Sequence, residues 1–245
     1  MKRAIWIGVL AVLAFAAILL VRLPASWFAS ALPSDVSCAQ IDGTVWHGSC
    51  DGFVWRKVAL GNLNWKLHAA SLLSGVLRAR LAMAGPVGIA EGIVEARRDE
   101  RIVARDLRAE FELNPALIPS MPTDLRGRVR TDLKLLQVED GIVTGIEGSI
   151  EAHDLERHGR QMEPLGDYVV TFPAAGGGEP VGDVRSLRGP LDIEGELKLT
   201  REPGFVLDGT VATGVGASPD LIQQLRALGS PDARGRRVFS VAGTF

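Results

Sequence analysis

Charge of one sign is missing from this sequence: 27 Lys and Arg stand against 29 Asp and Glu, for a net charge of −2 with no basic stripe and no acidic tail. A nucleic-acid surface needs clustered cations and a disordered tail needs like charges in blocks, so both are excluded. Cysteine is scarce. Cys38 and Cys50 are the only two, and neither has a neighbouring base arranged for nucleophilic work. No Gly-x-Ser-x-Gly elbow is present. The stretch Gly176-Gly177-Gly178 lacks the Lys-Ser/Thr ending of a phosphate loop and opens no helix, which leaves it as flexible linkage. The four histidines are His47, His68, His153 and His158. His153 and His158 stand five residues apart, a spacing that suits neither a helix face nor a strand face, so solvated surface is preferred to a metal site. The sequence therefore offers no catalytic residue, no cofactor site and no metal site.

What it does contain begins with Met1-Lys2-Arg3 and an unbroken apolar run from Ala4 to Val21, ended by Arg22. At about 1.5 Å per residue, those roughly 18 residues reach about 27 Å as a helix, close to the hydrocarbon thickness of a bilayer. The competing reading is a cleaved signal peptide, whose apolar core runs about 7 to 15 residues before a small-residue cleavage site. Ala29-Ser30-Ala31 resembles such a site but lies well past the run, with Trp27 and Phe28 between. An uncleaved single span is expected. Lys2 and Arg3 then keep the amino terminus in the cytoplasm, and Trp27-Phe28 suit the far interface. The expected division is 1–22, cytoplasmic tip and transmembrane helix, and 23–245, one domain beyond the membrane.

That domain reads as mainly β. The 28 glycines fall at strand-like intervals, and several stretches alternate apolar and charged residues with period two. The clearest is 101–113, where Leu107, Ala109, Phe111 and Leu113 share one face and Arg108, Glu110 and Glu112 the other. Similar strands are expected at 63–67, 76–84, 89–97, 125–133, 146–150, 168–172, 187–199, 205–211 and 237–245, with 173–183 as a loop. Short helical turns are expected at 69–74 and 116–118. A fuller helix is expected after Ser218-Pro219, with Leu221, Ile222, Leu225 and Leu228 as its apolar side and Gly229 as its stop. The fold class is thus one N-terminal transmembrane helix followed by a curved antiparallel β-meander with one or two short helices. An outer-membrane barrel is disfavoured, because no aromatic girdles flank these strands.

The chain is organised around the stretch 38–55. Thr44-Val45-Trp46 is expected to form a first strand and Phe53-Val54-Trp55 a second, with Gly43 and Gly48 permitting turns or bulges. Cys38 and Cys50 flank the first and are positioned to bridge it; a loop of that size stabilises by roughly 3 kcal/mol. The alternative is two unpaired buried thiols.

The apolar anchor, the Cys-flanked Gly43-Thr44-Val45-Trp46-His47-Gly48, the Leu63-Asn64-Trp65-Lys66-Leu67 strand and Leu125-Arg126-Gly127 together resemble the protein N family of the bacterial type II secretion system. So do Gly195-Glu196-Leu197, Ser218-Pro219-Asp220, Leu225, Leu228-Gly229 and Gly235-Arg236. The resemblance implies a non-enzymatic, single-pass inner-membrane protein with a periplasmic domain, an accessory part of the machine that exports folded proteins across the outer membrane. It implies the inner-membrane platform proteins as partners, with the secretin as a further candidate, and no nucleic acid. A looser link to AsmA-like proteins implies an alternative, a lipid-binding or lipid-transfer module. Leu77, Leu81, Met83, Leu107, Phe111, Leu113, Leu133, Leu135, Leu191, Ile193, Leu197 and Leu199 would then line an apolar groove. Otherwise they form an ordinary packed core.

Overall fold

A computed structural model of the chain describes residues 33–97, 99–115, 122–159, 162–174, 176, 178–202 and 204–244, together with 22–27 and positions 6, 15 and 19. The strands are β1 (Val36–Ser37), β2 (Gln40–Gly43), β3 (His47–Trp55), β4 (Val58–Leu67), β5 (Val76–Gly85), β6 (Gly88–Arg97) and β7 (Ile102–Glu112). They continue as β8 (Leu125–Glu139), β9 (Ile142–His158), β10 (Met162–Phe172), β11 (Val181–Arg188), β12 (Leu191–Thr200), β13 (Gly204–Thr213) and β14 (Arg237–Thr244). Among the described residues two helices interrupt them, α1 (Ala69–Leu72) and α2 (Pro219–Arg226).

All the strands belong to one antiparallel sheet. From β3 to β14 each strand pairs with its neighbours in sequence, while β1 and β2 both lie along the outer side of β3. Among the described residues β14 pairs with β13 alone, so the sheet is open there.

Because directly paired residues point to the same side, the ladder can be followed across the sheet. One row runs Ile41, Cys50, Leu63, Met83, Ala90, Ala109, Thr131, Ile150, Val170, Val184, Gly195, Gly209 and Phe239. No member is charged. The adjacent row on the other face includes Glu91, Arg108, Asp132, Ser149, Thr171, Asp183, Glu196, Asp208 and Ser240. Every one of these is polar. Bulges keep the two sets apart along the longer strands: the register shifts at Asp106, with φ of 49°, and at Asp154, with φ of 51°.

The buried centre of the apolar face is Leu133, Ile146, Phe172 and Leu199, with Leu107, Ile150, Val170, Leu197 and Phe205 packed on it. Phe172 is 3% exposed because it lies over a glycine: a Cβ at Gly182 would stand 2.7 Å from its ring. Most other residues of this face are half-buried. Helix α2 sits at one end of the sheet. Ser218 caps it, its Oγ accepting from the Leu221 N–H at 3.1 Å and donating to Glu163 Oε1 at 2.9 Å. Leu221 and Leu225 are its buried side; Leu228 is exposed.

The mainly β, antiparallel meander with two short helices agrees with the sequence reading. Several local expectations do not. Thr44-Val45-Trp46 is not a strand but the connection between β2 and β3. Gly43 turns the chain there with φ of 88°, and the Thr44 N–H donates to the His47 carbonyl at 2.8 Å. Phe53-Val54-Trp55 is the far end of β3 rather than a separate strand. Residues 181–183, expected in a loop, open β11, and 153–158, expected as plain surface, complete β9. The apolar run 4–21, the turn 116–118 and Phe245 lie largely or wholly outside the described residues. The three described positions in the run, Trp6, Phe15 and Leu19, are helical and exposed. Among the described residues no helix is long and apolar enough to cross a membrane.

Candidate functional site

The first strands of the sheet are tied together covalently. Cys38, between β1 and β2, and Cys50, within β3, are joined with Cα atoms 5.6 Å apart, and Cys50 is almost wholly buried. The bond holds β1 and β2 against β3, where their own ladders are too short to be stable alone. Around it, Trp65 donates from its indole nitrogen to the Val45 carbonyl at 3.1 Å, and Trp55 donates to Asp35 at 3.2 Å. This corner also receives the chain from the amino-terminal side, since the Val45 N–H donates to the Leu23 carbonyl at 3.0 Å and Pro24 bridges Thr44.

On the polar face, charges are paired across strands. Arg130 meets Glu110 at 3.2 Å, Arg108 lies 3.9 Å from both Glu91 and Asp132, and Arg78 contacts the buried Glu95, which also has Arg105 at 3.6 Å. Opposite charges on neighbouring strands are a solvated sheet's way of satisfying one another, each worth little at exposed positions. An open depression of about 330 Å³ on this face, lined by Ala82, Ile89, Glu91, Arg108, Arg130 and Asp132, has its charged walls already in such pairs.

A second buried carboxylate is Asp167. Burial pushes its carboxyl up. The Asp154 N–H at 2.8 Å and the Arg188 guanidinium at 2.5 Å outweigh that and hold it below the usual carboxylate range. The same carboxylate lies 3.6 Å from His153 Nδ1, whose Nε2 is 2.9 Å from Glu151. Next to it the Tyr168 phenol, which donates to the Leu165 carbonyl at 2.6 Å, is pushed up to about 12, by burial first and by the Asp167 charge second. The two histidines weighed as metal ligands do not come together. His153 is half-buried in this network, and His158 pairs with Glu156 at 2.5 Å. Among the described residues no three His, Cys, Asp or Glu side chains converge as a metal site. The Asp167 cluster pins the Asp154 bulge of β9 to β10 and β11, a structural task that the sequence concealed because its members lie up to 34 residues apart.

A further exposed surface is the edge strand β14, which among the described residues pairs with β13 alone. Its sequence, Arg-Val-Phe-Ser-Val-Ala-Gly-Thr, holds one charge, at its start, and no proline, and Val238 is 71% exposed. Edge strands are ordinarily blunted by charge, proline or shortness. β1 and β2 at the opposite edge are short.

Of the 12 apolar residues expected on one face, Leu81, Met83, Leu107, Phe111, Leu133, Leu197 and Leu199 follow the uncharged rows, while Leu77 is exposed at the sheet's end. Leu135 pairs with Arg105 and Glu147, because the bulge at Lys134 turns it to the polar side.

A family model described as type II secretion system (T2SS), protein N, matches residues 34–240. The type II secretion system protein N of Vibrio cholerae serotype O1 is 26% identical over 263 residues, covering 99% of each chain. That of Pectobacterium carotovorum is 24% identical over 259 residues, covering 99% of this chain and 98% of the relative. That of Aeromonas hydrophila is 23% identical over 246 residues, covering 96% of each. No solved structure matches. With a family model spanning the sheet from before β1 into β14 and relatives aligned from end to end, the chain belongs to the type II secretion system protein N family.

Proposed function

We propose that this protein is a non-enzymatic accessory subunit of the type II secretion system, anchored in the inner membrane by residues 4–21 with its amino terminus in the cytoplasm. Residues 23–245 then form a periplasmic domain that engages other components of the apparatus, the inner-membrane platform proteins first and the secretin as a further candidate. The observation that carries the reading is the unblunted edge. β14 offers a row of backbone donors and acceptors flanked by uncharged side chains, and an extended segment of a partner adds to such an edge through main-chain hydrogen bonds.

The experiment places a photo-crosslinking residue at Ser240 of the full chain in a secreting host and identifies what it captures. A platform protein or the secretin is the expected adduct, and a charge-bearing variant, Ser240→Lys, is expected to lower secretion of type II substrates. Normal secretion together with no captured apparatus component overturns the assignment.

A second reading is a lipid-binding module of the AsmA-like kind. It is favoured by the length of the uncharged row, whose residues from Leu63 to Phe239 are mostly half-buried rather than enclosed. Native mass spectrometry of the full chain extracted in mild detergent separates the two: bound phospholipid that survives delipidation supports the carrier, and its absence leaves the adaptor.

A further inference from the structure

The apolar tip formed by α1 is the surface in question. Residues 69–77 read Ala-Ala-Ser-Leu-Leu-Ser-Gly-Val-Leu, without one charge. Leu73 is 93% exposed, and Leu72 and Leu77 are 45% and 44% exposed. Three leucines facing solvent on one short connection are costly unless something apolar covers them.

Several polar groups of the tip are bonded from within. Ser71 Oγ donates to the His68 carbonyl at 2.6 Å and Ser74 Oγ to the Ser71 carbonyl at 2.8 Å. The backbone N–H groups of Leu73, Ser74 and Gly75 donate to Ala70, Ser71 and Leu72. A segment that has closed its own hydrogen bonds can leave water at little cost, whereas an open loop cannot. Arg78, next to Leu77, is held by Glu95, and Arg97, opposite Val76 on the ladder, is the other cation beside the tip.

Position names the covering medium. The Leu23 carbonyl, directly after the apolar run and Arg22, accepts from Val45, and the next residue along, Trp46, accepts from the Leu67 N–H at 2.7 Å. Leu67 ends β4, and α1 begins two residues later. At about 4.8 Å between strands, the tip starts roughly 10 Å from the point where the chain leaves the run. Trp27, 66% exposed, lies at the same end.

We propose that the α1 tip seats in the interfacial layer of a phospholipid bilayer, with Leu72 and Leu73 among the acyl chains, so that the sheet is held to the membrane at two points rather than hung from one. This rests on the anchor reading, and the two are separable by experiment. The full chain, with its disulfide intact, is reconstituted in vesicles of phosphatidylethanolamine and phosphatidylglycerol. It carries a nitroxide at one of three introduced thiols, Phe15→Cys, Leu73→Cys or Val215→Cys. Val215 is 94% exposed and follows β13 at the opposite end of the sheet, which makes it the match for Leu73 in everything except location.

The ratio of collision with dissolved oxygen to collision with an aqueous nickel complex is expected to be several-fold higher at position 73 than at 215, and high also at 15. A high ratio at 15 with position 73 as water-exposed as 215 overturns the proposal and leaves the anchor standing. A low ratio at 15 with a high one at 73 overturns the anchor and keeps the tip. Protection of position 73 from both agents overturns the proposal in favour of a protein contact.

Discussion

Replacing Gly182 with alanine tests how the apolar face closes on itself. The backbone there lies outside the left-handed region, so an alanine meets no conformational strain, and exchanging glycine for alanine in a strand would ordinarily stabilise by roughly 0.5–1 kcal/mol. The added Cβ, however, would stand 2.7 Å from Phe172 Cε1, 2.9 Å from its Cδ1 and 2.8 Å from Val170 Cγ1. All three are too close. Phe172 is hemmed in by Leu133, Ile146 and Leu199 and cannot retreat without disturbing them. Overpacking of this kind costs typically 1–3 kcal/mol, so the net effect of Gly182→Ala is a loss of about 1 kcal/mol. With a urea dependence of about 2 kcal/mol/M, the unfolding midpoint of the full chain in detergent falls by about 0.5 M. Phe172→Leu removes the obstructing ring edge. In a double-mutant cycle the two changes therefore compensate, with a coupling of about 1 kcal/mol or more. A midpoint that rises with Gly182→Ala, or a cycle additive to within about 0.5 kcal/mol, refutes the idea that a ring lying on a bare backbone sets the packing of this face.

The Cys38 to Cys50 bond encloses a separation of 12 residues, for which the chain-entropy estimate is about 3 kcal/mol. The double substitution Cys38→Ala and Cys50→Ala is expected to lower stability by that order in urea titration, and a non-reduced digest of the native protein is expected to yield the linked peptides by mass spectrometry. For Asp167, the folded-state pKa lies below the unfolded one, so its contribution is present above the unfolded value of about 3.9 and is lost as pH falls through the folded value. The wild-type urea midpoint should therefore drop as pH falls from about 5 to below the unfolded value of about 3.9. Asp167→Asn should be weaker at pH 7 by roughly 1–3 kcal/mol and show a flatter acid limb. Ser218→Ala removes the cap of α2 and is expected to cost about 1 kcal/mol, visible as faster amide exchange in 219–226.

Strands whose two faces differ in chemistry were legible directly. In 106–112 every second residue is charged, and β7 follows the expected 101–113 within a residue at each end. The serine and proline at 218–219 marked the start of α2 for the same reason: the cap acts on the next few residues and needs nothing distant. Reading failed where tertiary pairing decides. Val45 and Trp46 favour strands by type, yet they turn, because Gly43 and the bonds to Leu23 and Leu67 claim their backbone. Val181, Gly182 and Asp183 look like loop until Phe172 supplies a ring to lie on the glycine. Single-residue bulges reverse the alternation without any mark in composition, which is how Leu135 came to be placed on the wrong side. The Asp167 network was invisible for a related reason, since a buried carboxylate is recognised by its partners and they arrive from β9 and β11.

The pairing order has a consequence for how the protein is made. From β3 onward each strand finds its partner in the segment synthesised just before it, and no strand pairing waits for a distant part of the chain. Closing such short loops is fast and entropically cheap, in the manner of repeat proteins whose order spreads from neighbour to neighbour. In the anchored topology proposed above, the segments after residue 22 emerge in chain order and can lay down their hairpins one by one. The corner fastened by Cys38 and Cys50 is complete first, and the growing margin is always the newest strand. Among the described residues β14 is the last strand of that succession, and its outer side is taken up by no later one.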